Sequence, residues 1–300
     1  MSIDLGRLLG SAMRVLENEP MSRHTTMKVG GPADFFAIAE SPQQVRLALA
    51  AAHEASAPLL AIGNGSNLIV RDGGVRGVVL QIAMNAMKFE GNEAAAEAGC
   101  SLSDFVLAAQ AAGLMGLEFA QGIPGSVGGA VAMNAGAYGG VVSTLLLRVD
   151  GVSLSGEYFS IGPQEAGFGY RRSCFQRDGS IVVKAYWRLP DDDGGALSRI
   201  QDYAARRREK QPLHQPSAGS VFRRPEGHFA GKLIEDAGLK GMRVGGAMVS
   251  EKHAGFIVNV GGASAADITA LIALVQKRVM ETSGILLQTE VKLVGEDSEA

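Results

Sequence analysis

Gly122-Ile-Pro-Gly-Ser-Val-Gly-Gly129 and its continuation Met133-Asn-Ala-Gly-Ala-Tyr-Gly139 lie inside a run, Phe119 to Leu147, that carries no charged side chain. A stretch of that length raises the question of a membrane span, and the spacings Gly125/Gly129 and Gly136/Gly140 are of the kind that packs membrane helices. Pro124, Gln121, Asn134 and the crowd of glycines argue the other way, because they lower both helix propensity and hydrophobicity below what a spanning segment needs. Only small side chains occupy most of the run. Glycines clustered in this way let the main chain come close to something flat or charged.

A second glycine loop lies upstream. Gly63-Asn64-Gly65-Ser66-Asn67 sits between the apolar β-rich runs Leu59–Ile62 and Leu68–Val70. Consecutive residues that tolerate positive φ allow successive N–H groups to converge into a nest that binds phosphate oxygens without a cationic side chain. A tight turn between strands would explain this loop taken alone. Two such loops in one chain point instead to a nucleotide cofactor with a pyrophosphate centre and an aromatic part. The common alternatives do not fit. Gly63-Asn-Gly-Ser-Asn-Leu lacks the third glycine of the doubly wound dinucleotide fingerprint, and no glycine–lysine loop of the Walker type is present.

Bulk properties restrict the partners. Forty of 300 residues are glycine, nearly twice the usual ~7%. A formal charge of −3 and a pI near 6.0 offer no general attraction to nucleic acid or to an anionic membrane surface. The basic cluster Arg206 to Arg208 is flanked by Glu209 and preceded by Asp191 to Asp193, which reads as a solvated helix face. Two cysteines, Cys100 and Cys174, are too few for a disulfide framework, and no metal-ligand spacing is present, so no metal is expected. The start of the chain lacks the layout of a secretory signal, which makes the cytoplasm the expected compartment.

Local signals organise the chain as α+β. Ser41-Pro42-Gln43-Gln44 reads as an N-cap, a proline at N1 and a capping-box glutamine, opening a helix that runs to Glu54. Ser101-Leu-Ser-Asp104 opens another, closed near Gly113. Val75–Ile82 and Ile181 to Leu189 read as strands. Asp191-Asp-Asp-Gly-Gly195 is the linker candidate, followed by a charged helix around Leu197 to Glu209. Ser264 to Ser283 is an amphipathic helix with Ile268, Leu271, Ile272, Val275 and Val279 on one face. A strand from Ile285 to Val294 closes the chain, with Leu287, Thr289, Val291 and Leu293 on one side and Gln288, Glu290 and Lys292 on the other.

Eight segments, in order and spanning about residues 21 to 295, resemble the UDP-N-acetylenolpyruvoylglucosamine reductase family. They are His24–Asp34, Gly63–Val70, Gly122–Gly139, Phe168-Gly-Tyr-Arg-Arg-Ser173, Lys210-Gln-Pro212, Pro216-Ser-Ala-Gly-Ser-Val-Phe222, Gly231–Gly238 and Ser250–Asn259. The resemblance implies a two-lobed FAD-binding domain of the vanillyl-alcohol-oxidase/PCMH type and a smaller α+β substrate-binding domain. The expected division is an N-terminal segment 1–20, the FAD-binding domain 21–192, and the substrate-binding domain 193–300 with the linker helix at its start. The stretch from Tyr170-Arg171 to Ser220 is too short for the substrate-covering insertion of one family type, so the chain resembles the compact second type.

The resemblance also implies an activity and its residues. The family reduces the enolpyruvyl ether of UDP-N-acetylglucosamine to UDP-N-acetylmuramate with NADPH, a step in peptidoglycan precursor synthesis and so in cell-wall biogenesis, cell shape and division. Both glycine loops would hold FAD, through Gly63, Asn64, Gly65, Ser66, Asn67, Gly122, Pro124, Ser126, Gly128 and Gly129. No histidine lies in either loop to tether the flavin, so the FAD is expected to be non-covalent. Catalysis calls for a donor or fixed positive charge at the substrate carboxylate and for a proton source. Ser220 resembles the family's proton donor, Arg171 its catalytic arginine and Glu290 the third catalytic residue, while Lys210 and Tyr170 are candidates for substrate contacts. On residue pattern alone these would be a turn serine, a loop arginine and a solvent-facing strand carboxylate. His24, His214, His228 and His253 read as ordinary polar or supporting residues, and Cys174 as an inert neighbour.

The expected partner is a small nucleotide-sugar substrate, with no nucleic acid, no membrane insertion and no obligate protein partner. Two other readings remain open on sequence. One is an FAD-dependent oxidase or dehydrogenase of an alcohol or sugar, which would call for a His or Tyr base beside the flavin. The other is a nucleotide-sugar-binding regulator that keeps the fold without the chemistry.

Overall fold

The computed structural model describes residues 5–298. The chain forms two compact units, each discontinuous in sequence. The first takes the residues up to Glu17, Phe35–Asn64 and Gly77–Arg206, and the second takes Asn18–Asp34, Gly65–Arg76 and the residues from Arg207 onward. The mixture of helices and sheets makes the fold α+β, as expected.

The first unit is built on a five-stranded antiparallel sheet, in the order Tyr158–Ile161, Leu146–Val152, Ile181–Arg188, Glu93–Glu97, Met87–Glu90. Trp187, on the central strand, is 1% exposed and packs its ring 5.0 Å from that of Phe105, while its indole N–H donates to the Val142 carbonyl at 2.8 Å. The indole thus buries its area without leaving a polar group unmatched. On the neighbouring strand Ala94 lies opposite Trp187 and Ala96 opposite Ala185, and both alanines are buried. The alanine-rich strand Glu93–Glu97 has no β-branched or aromatic signature, which explains why it is not evident in the sequence. Elsewhere in this unit Leu59–Ile62 runs parallel to Val75–Ile82, with Leu59 opposite Val78 and Ile62 opposite Gln81.

Helix boundaries follow the capping signals. Ser41 Oγ accepts the Gln44 N–H at 3.3 Å at the head of helix Pro42–Glu54, but the reciprocal half of the capping box does not form. Gln44 Oε1 instead accepts the N–H of Glu40, one residue before the cap. Ser101 caps Leu102–Ala111 through the Asp104 N–H, and Gly113, at φ +77°, ends the turn that follows. In the linker, the Asp192 and Asp193 carboxylates accept the N–H groups of Gly194, Gly195 and Ala196 and so cap helix Ala196–Lys210. The long uncharged run forms only the six-residue helix Val127–Ala132 and the small hairpin Gly136–Ala137/Gly140–Val141. Among the described residues no helix is long and apolar enough to cross a membrane.

The second unit is an antiparallel sheet in the order Ser217–Ser220, Phe256–Asn259, Ala247–Val249, Arg243–Val244, covered by helix Ala265–Ser283. The apolar stripe of that helix (Ile268, Leu271, Ile272, Val275 and Val279) is buried as its periodicity requires. Its N-terminus is a complete capping box, with Ser264 Oγ on the Asp267 N–H at 3.0 Å and Asp267 Oδ2 on the Ser264 N–H at 3.1 Å. The Asp72 carboxylate adds two bonds, to the N–H groups of Ala265 and Ala266.

The end of the chain departs from the expected strand. Only Lys292–Val294 is regular, pairing in parallel with Leu68–Val70, and Thr289 makes an isolated bridge to Phe222. The reason lies at one acceptor. The N–H groups of Glu290 and Val291 both point to the Val221 carbonyl, at 2.7 and 3.4 Å, so two residues face one and the ladder loses its register. The side-chain alternation nonetheless survives at Leu287 and Val291, which are buried.

Candidate active site

In the first unit Gly63, at the start of one glycine loop, meets Ser126 of the other. A Cβ placed on Gly63 would sit 2.1 Å from Ser126 Oγ, far inside contact distance, so only glycine fits there. Ser126 is itself buried and caps helix Val127–Ala132 by accepting the Gly129 N–H at 3.2 Å. The amides of Gly122 and Gly128 also donate within the unit, to Ser103 Oγ at 3.0 Å and to the Ala98 carbonyl at 2.8 Å. This stretch therefore leaves Pro124 and Gly129 exposed, while most of its main-chain donors are spent on its own scaffold. The loop at 65–66, in the second unit, is different. Gly65 lies at φ +60° with its α-carbon against the His24 carbonyl, and among the described residues no protein acceptor takes the main-chain N–H of Gly65 or Ser66. N–H groups without a protein acceptor, as at Gly65 and Ser66, are donors of the kind that fit phosphate oxygens.

Arg171 belongs to the first unit and occupies a turn in which Gly169 and Arg172 exchange N–H···O bonds at 3.0 and 3.2 Å. Its φ of +52° is unusual for a side-chain-bearing residue. The guanidinium donates to the Gly136 carbonyl at 2.9 Å and to the Asn134 carbonyl at 3.4 Å, and it lies 5.3 Å from the centre of the Tyr170 ring. Asn134 is buried and ties the two segments together, since its Nδ2 donates to the Gly169 carbonyl at 3.0 Å. Ser173 and Gln176 fasten the same turn to the Ala132 carbonyl. Arg171 is thus anchored at one end of a six-residue helix, about 9 Å long, whose other end is Ser126. Tyr170 is 58% exposed.

Ser220 and Glu290, 70 positions apart in sequence, are neighbours in the second unit. The Val221 carbonyl, directly after Ser220, accepts the Glu290 N–H, and Arg223 N–H donates to the Gln288 carbonyl at 2.8 Å. A register shift between Ser217 and Ser220, with Gly219 at φ +75°, bends the strand just before Ser220. Asn67 joins this group through its side chain: Nδ2 donates to the Glu290 carbonyl at 3.2 Å, and the Asn67 carbonyl accepts the Lys292 N–H at 3.0 Å. Its amide donor therefore supports the Glu290 main chain. Lys292 reaches solvent, yet burial of its stem, reinforced by the nearby charge of Arg223, pushes its pKa below the ordinary lysine range. Lys210 is exposed at the last position of helix Ala196–Lys210.

Two residues beside Ser220 carry more than the sequence indicated. Thr26 Oγ1 donates to the Ser217 carbonyl at 2.6 Å, and His253 approaches the Ser220 strand through Gly255. A motif of small residues around a histidine was the available signal for the latter. No group of three or more His, Cys, Asp or Glu side chains that could hold a metal ion occurs among the described residues.

The fold and the paired glycine loops define an FAD-binding oxidoreductase. The FAD binding domain profile matches residues 33–162, and the profile of the C-terminal domain of UDP-N-acetylenolpyruvoylglucosamine reductase matches residues 211–294. The chain is 48% identical over 288 residues to the UDP-N-acetylenolpyruvoylglucosamine reductase of Levilactobacillus brevis, covering 95% of each protein. It is 50% identical to that of Alkaliphilus oremlandii, covering 94% of each. The crystal structure of UDP-N-acetylenolpyruvylglucosamine reductase (MurB) from Thermus caldophilus superposes with a TM-score of 0.81 at 36% identity, over 94% of this chain and 99% of that one. The chain belongs to the UDP-N-acetylenolpyruvoylglucosamine reductase family.

Proposed function

We propose that the protein is a cytoplasmic reductase that converts the enolpyruvyl ether of UDP-N-acetylglucosamine to UDP-N-acetylmuramate, with NADPH as the hydride source and non-covalent FAD as its cofactor. The observation that carries this reading is the joining of Ser220 and Glu290 through the Val221 carbonyl, in a chain whose relatives over nearly their full length are such reductases. Gly63, Asn64, Gly65, Ser66 and Asn67, with Gly122, Pro124, Ser126, Gly128 and Gly129, would hold the cofactor. Gly65 and Ser66 offer N–H donors to phosphate, and the 122–129 stretch offers close main-chain approach. Bound there, FAD would supply hydride-transfer chemistry between NADPH and the terminal carbon of the enolpyruvyl group.

The protein's own side chains handle the charge and the proton. As the new C–H bond forms, negative charge builds on the adjacent carbon and its carboxylate. Arg171, whose planar fork stays charged throughout, pairs with that carboxylate and stabilises the enolate-like state. Ser220 delivers its hydroxyl proton to the carbon, which completes the saturated ether. A serine hydroxyl is a weak acid, but the developing carbanion is far more basic than a ground-state carboxylate. Glu290, joined to the Ser220 strand through the Val221 carbonyl, assists in returning a proton to Ser220. Tyr170 and Lys210 contact the nucleotide-sugar, with the lysine ammonium directed to phosphate. Residues 21–192 would then act as the cofactor domain and 193–300 as the substrate domain.

The test is anaerobic and runs in two halves. NADPH should bleach the flavin, and the enolpyruvyl nucleotide should restore its colour. Ser220→Ala should leave the first half near normal and slow the second by orders of magnitude. Colour restored by oxygen but not by the enolpyruvyl nucleotide would point to an oxidase and reject the proposal.

A further inference from the structure

The turn Ser250-Glu-Lys-His-Ala-Gly-Phe256 joins strands Ala247–Val249 and Phe256–Asn259 within the second unit, and its internal bonds fix the place of one imidazole. Ser250 is buried, and its Oγ accepts the N–H groups of Lys252 and His253 at 3.2 and 3.3 Å. The Phe256 N–H returns to the His253 carbonyl at 3.0 Å, and the two rings meet edge to face at 5.0 Å. His253 Nδ1 then accepts the Gly255 N–H at 3.1 Å. On its other side Gly255 offers its carbonyl to the Val221 N–H at 2.9 Å, directly after Ser220. A Cβ on Gly255 would lie 3.0 Å from His253 Cε1 and 3.2 Å from Ser220 Oγ, so the imidazole and the hydroxyl flank the same α-carbon. A Cβ on Gly231, on helix Ala230–Asp236, would lie 3.1 Å from the same Cε1, so this helix backs the ring.

We propose that His253 is the positioning residue for Ser220, holding through its Nδ1 acceptor the Gly255 main chain against which the serine hydroxyl rests. The inference deepens the reductase reading and rests on it for the role of Ser220. Its chemistry is a matter of tautomer. An imidazole that accepts at Nδ1 is neutral and carries its proton on Nε2. Protonation would place an N–H on Nδ1 facing the Gly255 N–H, donor against donor, and the contact would break.

The surroundings favour the neutral ring. Burial lowers the His253 pKa, the nearby Lys240 acts in the same direction, and Glu235 opposes it. Lys240 and Glu235 are themselves paired at 2.7 Å. The helix behind the ring also carries Lys232 and Asp236, which pair with each other, and the turn carries Glu251 and Lys252, the latter bonded to the Arg208 carbonyl. Strands Ser217–Ser220 and Ala247–Val249 contribute no charge. The contact is therefore intact at neutral pH and is lost as pH falls through the depressed imidazole pKa.

His253→Phe keeps a ring of similar bulk without an acceptor. His253→Asn keeps an acceptor near the Nδ1 position but cannot titrate. Reoxidation of the reduced holoenzyme by the enolpyruvyl nucleotide is followed between about pH 5 and 8. H253F should slow this half-reaction about tenfold at neutral pH, as expected for a buried N–H left unmatched, and should spare flavin reduction by NADPH. H253N should recover most of that loss and should lack the acid limb that the unmodified enzyme shows. Nitrogen NMR of histidine-labelled protein should find the His253 proton on Nε2. A wild-type rate in H253F, an acid limb unchanged in H253N, or a proton on Nδ1 would each overturn the proposal. If H253F fails to fold, the H253N profile and the NMR tautomer still decide. Failure of the unmodified enzyme to be reoxidised at all would reject the reductase reading instead, and the tautomer would still judge the His253 contact.

Discussion

Replacing Gly63 by alanine sets a methyl group against the side chain that caps helix Val127–Ala132. The new Cβ would lie 2.1 Å from Ser126 Oγ and 3.1 Å from Ser126 Cβ. The first distance is impossible, so the serine must rotate away, and its bond to the Gly129 N–H at 3.2 Å is lost. Loss of an N-cap costs about 1 kcal/mol, and the remaining crowding against the buried Ser126 adds about 1–2 kcal/mol, so G63A should cost about 2–3 kcal/mol. Ser126→Ala loses the cap alone, about 1 kcal/mol. The double variant gives the decisive comparison. With Oγ absent the cap is lost only once and the worst clash is gone, so G63A/S126A should be more stable than the sum of the singles by about 1–2 kcal/mol. Urea unfolding of the three variants and the parent, with the flavin removed, measures this directly. Costs that add within about 0.5 kcal/mol would refute the claim that the two glycine loops are locked together at this point. In the flavin-loaded protein G63A should also weaken FAD retention, measured by ultrafiltration.

Three further outcomes follow from other sites. Arg171→Lys keeps the charge but loses the two-point fork, and it should slow flavin reoxidation by the enolpyruvyl nucleotide about tenfold or more, with little effect on reduction by NADPH; equal effects on both halves would count against a role at the carboxylate. The Asp267 carboxylate is held below the ordinary aspartate range by the N–H groups of Ser264 and Gly246. Its contribution to stability is therefore complete above the ordinary aspartate pKa and disappears as pH falls through the lowered one, so Asp267→Asn should cost about 1 kcal/mol near pH 7 and nothing in strong acid, as read by denaturant titration at each pH. Burial raises the pKa of both Cys100 and Cys174, which keeps them as protonated, shielded thiols. A thiol reagent near neutral pH should modify neither in the native protein and both after unfolding, and rapid native labelling of Cys174 would contradict its burial.

Much of the local structure was legible because short-range physics decided it. Ser41 and Ser101 cap helices as their spacing required, and the stripe from Ile268 to Val279 faces a core. The β-rich runs Leu59–Ile62, Leu68–Val70 and Val75–Ile82 are strands with those limits. The exceptions are instructive. Glu93–Glu97 is an interior strand with three alanines, fixed by pairing on both sides, with Ile181–Arg188 and Met87–Glu90, rather than by propensity. The strand expected from Ile285 is irregular as far as Val291 because two N–H groups compete for the Val221 carbonyl, and no property of residues 285–291 announces that acceptor.

By itself the sequence determined the α+β class, the starts of the helices after Ser41, Ser101 and Ser264, the two glycine loops and, through eight ordered segments, the family. Those are matters of residue type at short range, where backbone freedom, caps and periodicity act within a few positions. Tertiary structure alone decided that residues 18–34 and 65–76 join the C-terminal unit, that Gly63 abuts Ser126, and that Ser220, Glu290, Asn67 and His253 share one neighbourhood. Those contacts are hydrogen bonds and close approaches between residues up to 232 positions apart. Their energy exists only once the intervening chain has folded, so no local pattern can encode them.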